Sequence, residues 1–464
     1  MIRAPDAVRA ALARVQALAV RAGAPRVLSV ALRQRGCDPL AFVAALALGR
    51  PYFLIERPEA GEVVAGVGTE LLATAQGAAR FSAAKSAVEG FFAELTVIGS
   101  VPAAFAVPRA FARFTFFEDP VPEEPFPPAT VYLPRLQLIR HGELGVLAVN
   151  VGIDPHADID PLVERLRADL ALLAGFAAAA QPPAVDRSSP DRESLFVSSI
   201  DGYRAGVAAA VEAMERGEFE KLVLAAHRDL RAPRPFDLMR TVARLQSNYP
   251  ECTTFASTNA RGVCFVGASP ERLVRVGSTD VDSDALAGSI ARGGDAREDD
   301  DLARALLASE TYRHEHQIVV DAIRRRFGDL GMRPGAPSIP RTKRLRNIQH
   351  LHTPISAARP PGLHVLDAVA ALHPTPAVGS EPREVARAEL RRYERFARGA
   401  YAAPVGWIDS GGRGEFVVAI RSALVDGASA RLFAGNGIVV ESDPDREVDE
   451  VERKFRAMFD ALQW

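Results

Sequence analysis

The chain has almost no lysine. Of its 56 basic residues only Lys85, Lys221, Lys343 and Lys454 are lysine, and the other 52 are arginine. Arginine serves wherever a plain positive charge is wanted. Each lysine therefore stands out as the one cation that can lose its proton within reach of neutral pH, unless it simply persisted by chance. Cysteine is scarce too. Cys37, Cys252 and Cys264 are an odd number, far apart and without a CxxC. That excludes a zinc ribbon and a disulfide framework, and points to a reducing cytoplasm. No apolar run reaches the roughly 18 residues of a membrane span. Arg9, Arg14 and Arg21 break the stretch where a secretory signal needs an unbroken apolar core. Excess charge is absent as well: 56 basic residues face 58 acidic ones, a net charge of −2. No general attraction to nucleic acid or to an anionic membrane follows from that balance.

What remains is an ordinary folded composition, 464 residues with 48% hydrophobic and 25% charged. That length allows two or three domains or one large one. Residues 5–22 read as an amphipathic helix. Residues 117–128, FEDPVPEEPFPP, are too rich in proline for a regular element. Two strands, 131–139 and 145–151, turn at His141-Gly142, and a helix covers 161–180. Residues 181–194, rich in Pro and Ser, are the best linker. Beyond it come a helix (198–216), strand (221–226), helix (235–247) and strands (252–258, 263–267 and 271–276). A long helix follows over 299–327. Strand-like runs at 399–409, 414–424 and 431–439 precede a last helix at 446–462. Consecutive strands with tight turns give an antiparallel α+β protein with helices outside.

Several residues in this frame invite chemistry. Lys221 opens an apolar strand, either as a buried base or as an edge lysine reaching for water. Glu271 follows a tight turn of small residues, either as a desolvated general acid or as a surface partner of Arg272 or Arg275. Glu315 lies in His314-Glu315-His316; the two histidines point to different faces, so this is no zinc motif. Glu447, Glu450 and Lys454 share one face of the last helix, and with Glu315 would make an oxygen-rich site suited to Mg²⁺, unless Glu450 and Lys454 are only a surface pair. Gly288 with Ser289, and Gly435 with Gly437, lie in glycine turns open to an anion, though neither matches a nucleotide fingerprint.

Taken in order, the segments KLVLAAHR, FVGASPERL, ALAGS, RHEHQIVVDAI, IQHLHTPI, LHPTPAVG, YAAPVGWIDSGGRGEFVVAIRSA and RLFAGNGIVVESDP resemble the chorismate-binding enzymes, most closely the isochorismate synthases. The resemblance covers about 200–460, with 1–195 as a variable N-terminal part of the same large domain and 196–464 as the catalytic part. It implies an α+β, anthranilate-synthase-component-I-like fold, with two large mainly antiparallel sheets packed together. It implies chorismate as substrate, Mg²⁺ as cofactor, and isomerisation to isochorismate by water addition at C2 with loss of the C4 hydroxyl. Lys221 would be the base and Glu271 the acid. Glu315 and Glu450 would hold Mg²⁺, with Glu447 beside them. Arg421, Tyr401, Lys454 and the amides around Gly435 and Gly437 would hold a substrate carboxylate. Gly288, Ser289 and His373 would line the ring pocket.

Ala287 stands where aminodeoxychorismate synthases carry lysine, which disfavours amination and an obligatory glutaminase subunit. A cytoplasmic monomer or homodimer, without nucleic acid or membrane, is expected. Salicylate synthases, which also expel pyruvate, are the alternative, as is an inactive binding scaffold. The chain departs from the family pattern at Thr311, Tyr312, Ser289, Asn436, Ala403 and Ser380; several of these crowd the carboxylate end of the pocket, which implies a changed substrate or reduced activity, and Tyr312 and Asn436 motivate the scaffold reading.

Overall fold

A computed structural model describes residues 5–99, 101, 105, 107–122, 124–178, 195–196, 200–336 and 338–463. The expected linker at 181–194 lies outside the described residues. The strands of the first half are β1 (Arg26–Arg35), β2 (Tyr52–Arg57), β3 (Glu62–Ala75), β4 (Thr96–Ile98), β5 (Arg109–Phe114), β6 (Ala129–His141), β7 (Leu144–Ile153) and β8 (Leu195–Phe196). Those of the second half begin with β9 (Lys221–Arg231), β10 (Thr253–Thr258), β11 (Cys264–Ser269), β12 (Arg272–Val276), β13 (Asp280–Ala291) and β14 (Arg341–Arg344). They end with β15 (Ile348–Ala358), β16 (Ser380–Glu381), β17 (Pro404–Asp409), β18 (Gly414–Val418), β19 (Ser422–Asp426) and β20 (Ser429–Ile438). The helices that matter most for the site are those at Ala296–Ala308, Glu310–Asp329, Val365–Leu372, Arg383–Tyr393 and Pro444–Leu462.

Pairing runs in two arms. One passes through β14, β15, β13, β12, β18, β17 and β5 to β6. The other passes from β6 through β3, β2, β10, β11, β19 and β20 to β9. All these ladders are antiparallel; β1 with β4 is parallel. The arms face each other as two layers over an aromatic core. Phe53 of β2 stacks on Phe111 of β5 at 4.6 Å, with Phe255, Phe265, Val405 and Val417 around them. The two expected sheets are thus present, and they are joined through the long strand β6. Strands from both halves of the chain interleave, as β5 with β17 and β2 with β10.

The arms meet a second time where β11 passes into β12 and β18 into β19. The sequence reads 414–424 as one strand, but the backbone breaks at 419–421, where Arg421 takes φ +51°. A non-glycine residue in that region is strained and must be held by its surroundings. The Ala268 amide donates to the Arg421 carbonyl (3.1 Å) and the Val418 amide to the Glu271 carbonyl (3.1 Å). Gly267 leaves room for the first approach, since a Cβ there would lie 2.7 Å from the Arg421 oxygen. This crease sets Glu271 and Arg421 side by side on a turning point of the sheet.

The long helix expected over 299–327 is two helices. Ser309 ends the first and caps the second, its hydroxyl accepting from the Tyr312 amide. The Glu310–Asp329 helix packs on β13, and the Pro444–Leu462 helix packs on β20. The latter is held by Val451, Phe455, Met458 and Leu462 at helical spacing. That spacing leaves Glu447, Glu450 and Lys454 to face the strands' upper surface. Among the described residues no helix is long and apolar enough to cross a membrane.

Candidate active site

A cavity of about 650 Å³ lies between the crease and these two helices. Glu271, Gly288, Ser289, Glu315, Tyr401, Arg421, Gly435, Gly437, Glu447, Glu450 and Lys454 line it. Lys221 stands just behind Gly437. Its side chain is fully buried, which removes the edge-lysine alternative, and its Nζ donates to Glu315 Oε1 at 3.0 Å. Gly437 makes this contact fit. A Cβ there would lie 2.7 Å from Glu315 Oε1 and 3.1 Å from Lys221 Cε. Gly435 does the same for Tyr401, whose hydroxyl would lie 3.1 Å from an added Cβ. Both glycines sit inside β20, paired to β9, rather than in a turn. They give these side chains space, and their amides point away from β9, because the Val223 and Ala225 amides opposite them bond Gly379 and Glu394 instead.

Glu271 is 3% exposed, and its alternative partners are taken: Arg272 bonds Glu415 and Arg275 bonds Asp282. Burial pushes its carboxyl up to about 8, the Asp284 charge adds to that, and Lys343 and Lys221 oppose it. It is therefore a neutral acid at pH 7, able to give a proton. The Ser269 hydroxyl pins the turn by donating to the Val418 carbonyl at 2.6 Å.

Arg421 forms no ion pair among the described residues, although it is buried, and burial lowers its pKa. Its Nη2 donates to His350 Nε2 (3.3 Å), and His350 Nδ1 meets Ser289 Oγ at 2.8 Å. Burial and then the Arg421 charge hold His350 well below its ordinary pKa, so the ring is neutral. A buried arginine in a cavity wall, with its guanidinium bonded to a neutral imidazole, suits an anionic group. Gly288, at φ +73°, marks the bulge in β13 that turns Ser289 toward this network.

The carboxylates gather opposite. Glu450 pairs with Lys454 at 2.7 Å. Glu447 accepts from Ser442 and Asn436 (3.0 and 2.9 Å), and burial followed by the Glu450 charge raises its pKa to about 7. Tyr312 stands among Glu450, Glu315 and Glu447, and its phenol is pushed up by burial and then by their charges. Asn436, expected to crowd the pocket, instead bridges the strand to Glu447 and to Lys454, whose Nζ donates to Asn436 Oδ1 (2.7 Å) and Gly435 O (3.0 Å). Lys454 thus spends its three donors on the protein, which organises the carboxylates and departs from the expected contact with a substrate carboxylate. Among the described residues no three His, Cys, Asp or Glu groups form a ready-made metal cage, since each glutamate has its own partner. The donor set still suits a hard dication. It is all oxygen, and the crowding of Glu447 by Glu450 is a like-charge strain that a cation would relieve.

His373 is a correction. It lies in a different cavity, between the rings of Phe81 and Phe116, with Nε2 at 3.2 Å from the Phe116 carbonyl. It caps the end of the Val365–Leu372 helix, and its ring turns into the core; from the same motif, Ala377 and Val378 reach the site. Sequence reasoning passed over His350, although it lies in IQHLHTPI, and singled out Lys343 only as one of the four lysines, with no role. Nζ of Lys343 donates to the Pro270 carbonyl at 2.5 Å, beside Glu271. The scarcity of lysine was a usable signal, for three of the four surround this cavity.

Comparison with known proteins identifies the family. The sequence signature described as chorismate binding enzyme matches residues 11–463. The chain is 44% identical over 260 residues to the salicylate biosynthesis isochorismate synthase of Pseudomonas aeruginosa, covering 56% of this chain and 54% of that protein. It is 34% identical over 363 residues to isochorismate synthase MenF of Bacillus subtilis, covering 76% and 74%. The chain thus spans about half the length of the first relative and three quarters of the second. In fold it is similar to MenF, the menaquinone-specific isochorismate synthase of Escherichia coli, with TM-score 0.77, 23% identity, and coverage of 98% of this chain and 100% of that one. Anthranilate synthase component I of Streptococcus pneumoniae is similar at TM-score 0.61 and 19% identity, over 75% and 80% of the two chains. The chain belongs to the family of chorismate-binding enzymes.

Proposed function

We propose that the chain is an isochorismate synthase, converting chorismate to isochorismate by water addition at C2 and loss of the C4 hydroxyl. The observation that carries the reading is Glu271, a buried carboxyl whose pKa burial raises, in the wall of a cavity also lined by Arg421, which has no ion pair among the described residues, and by Glu315, which Lys221 bonds from behind Gly437. The relatives' names support the choice among chorismate chemistries.

Chorismate carries two carboxylates. Arg421, oriented by His350, takes one of them, and Tyr401 stands beside it as a hydroxyl donor. Glu271 protonates the departing C4 hydroxyl, which needs a carboxyl that still has its proton near pH 7. Lys221 removes a proton from the attacking water. That step requires the neutral amine, so its ion pair with Glu315 must open first. Gly437 leaves both side chains the room to move. Glu315 and Glu450, with Glu447 beside them, would hold Mg²⁺, which supplies positive charge to neutralise the ring carboxylate.

The three cysteines are free and buried, in keeping with a cytoplasmic enzyme. We place it there as a monomer or homodimer without a glutaminase subunit, with 196–464 carrying the machinery and 1–195 completing the same domain. The test is chromatography of the product from purified protein, chorismate and Mg²⁺. Isochorismate supports the reading, salicylate with pyruvate replaces it by the alternative synthase, and binding without turnover leaves a scaffold.

A further inference from the structure

Lys343 has no place in the chemistry above, yet its position is a built one. It lies on β14 directly across from His350 of β15, and His350 in turn faces Ser289 of β13. Directly paired residues share a face of the sheet, so Ser289, His350 and Lys343 form a row pointing the same way. Two of the three end in the cavity wall. The third, half-buried, crosses to the other arm's turn and donates to the Pro270 carbonyl at 2.5 Å. Pro270 has no amide hydrogen, so this carbonyl is the turn's own remaining backbone handle immediately before Glu271. β14 is otherwise a four-residue edge strand paired on one side by β15. A chain with 52 arginines places one of its four lysines here. A compact ammonium reaches a single carbonyl, whereas a guanidinium fork would spread over several acceptors.

Resting on the functional reading above, we infer that Lys343 is a positioning residue for the acid: its ammonium anchors the Pro270 carbonyl and so fixes where the Glu271 carboxyl is aimed. The same ammonium acts on Glu271 through space. The charged and titratable groups facing that carboxyl are Asp284 from β13, Lys343 from β14, Lys221 from β9 and Tyr401 ahead of β17. Burial pushes Asp284 up, but the bond from His352 and the Arg272 charge outweigh it, so Asp284 stays charged and pushes Glu271 upward. Lys343 opposes that push. Without it Glu271 would hold its proton to higher pH and would be a weaker acid, on a turn no longer tied down.

The test compares Lys343→Met and Lys343→Arg with the wild-type chain. In Lys343→Met the alkaline limb of the kcat–pH profile moves up by roughly 1 unit, and kcat falls more than KM rises. Lys343→Arg, which keeps a charge and donors, restores the limb toward the wild-type position. A second readout needs no turnover. The infrared band of the Glu271 carboxyl, identified by its loss in Glu271→Gln, titrates at higher pH in Lys343→Met than in the wild type. An unmoved limb and an unmoved band in Lys343→Met would overturn the inference. If the wild-type chain forms no isochorismate, the functional reading fails instead, and the infrared titration alone decides whether Lys343 governs Glu271.

Discussion

Two buried ion pairs in this molecule have the same ingredients and opposite uses. Arg398 and Glu394 lie in the core, with Arg398 Nη2 at 2.5 Å from Glu394 Oε1 and Nε at 2.8 Å from Oε2. The remaining donors bond the carbonyls of Val378 and Val223, and Glu394 accepts the Ala225 amide. The pair stitches β9 to the segment behind the site and stacks on Phe116 at 4.2 Å. Lys221 and Glu315 stand at the other end of the same stretch of β9, facing a cavity across a glycine. The first pair is saturated with hydrogen bonds and built on a cation that never deprotonates. The second is sparsely bonded and built on one that can. Saturation makes a buried charge structural, and leaving it short of partners beside a cavity makes it available for chemistry.

The sharpest way to break this contrast is to exchange the outcomes. Lys221→Ala should cost roughly 10²–10⁴-fold or more in turnover while circular dichroism and Tm stay near the wild-type values. Lys221→Arg should be equally inactive. Arg398→Met should instead cost about 3–5 kcal/mol of stability in a denaturant titration, with activity lost only as the fold is lost. An inactive but stable Arg398→Met would erase the distinction.

Next in size is Glu271→Gln, which should abolish turnover and stabilise the protein. The unfolded carboxyl titrates near ~4.3 and the folded one at about 8. Between these values the folded state holds a proton that the unfolded state has released. Wild-type stability therefore falls with rising pH across that window, by up to about 1.4 kcal/mol per unit, and levels off above about 8. Melting curves of both proteins from pH 5 to 9 should show the Gln variant's advantage growing and then reaching a plateau. Turnover of the wild type should fall above about pH 8, as the acid loses its proton.

Gly437→Ala comes third. The added Cβ would meet the flexible end of Glu315, so the fold survives, but the Lys221–Glu315 contact is displaced. A loss on the order of 10²-fold in kcat at unchanged Tm is expected from steady-state kinetics. The smallest catalytic effect belongs to His373→Phe. It removes one of the two donors to the Phe116 carbonyl, leaving Arg80 Nη2 at 3.3 Å, and costs about 0.5–1.5 kcal/mol of stability, with kcat unchanged in the surviving fold.

The sequence spoke clearly where chemistry demands rare residue types. Lys221, Glu271 and Glu315 were legible as candidates because a scarce lysine and acidic residues stood inside apolar or small-residue segments; residue type left the surface readings open, the family resemblance supplied the roles, and the fold brings all three to one cavity wall. Helix and strand periodicity located the helices that carry Glu315, Glu447 and Glu450. Boundaries set by single hydrogen bonds were not legible. Ser309 splits a helix, and Arg421 breaks a strand at positive φ, because of tertiary partners that no local pattern encodes. Glycines were legible only in part: Gly435 and Gly437 lie near the end of a strand, yet the room they make for Tyr401, Glu315 and Lys221 depends on side chains from other elements. His373 failed because a motif fixes which residues are near one another, not which side of the helix end the ring takes.

The central claim is that this cavity activates a water molecule against one carbon while an acid dismisses the hydroxyl at another. Running the reaction in ¹⁸O-labelled water and weighing the isochorismate tests it directly. One heavy oxygen at the C2 hydroxyl in each product molecule is predicted. Product that keeps the oxygen of its substrate would mean the hydroxyl migrates within the ring, and would contradict the roles given to Lys221 and Glu271.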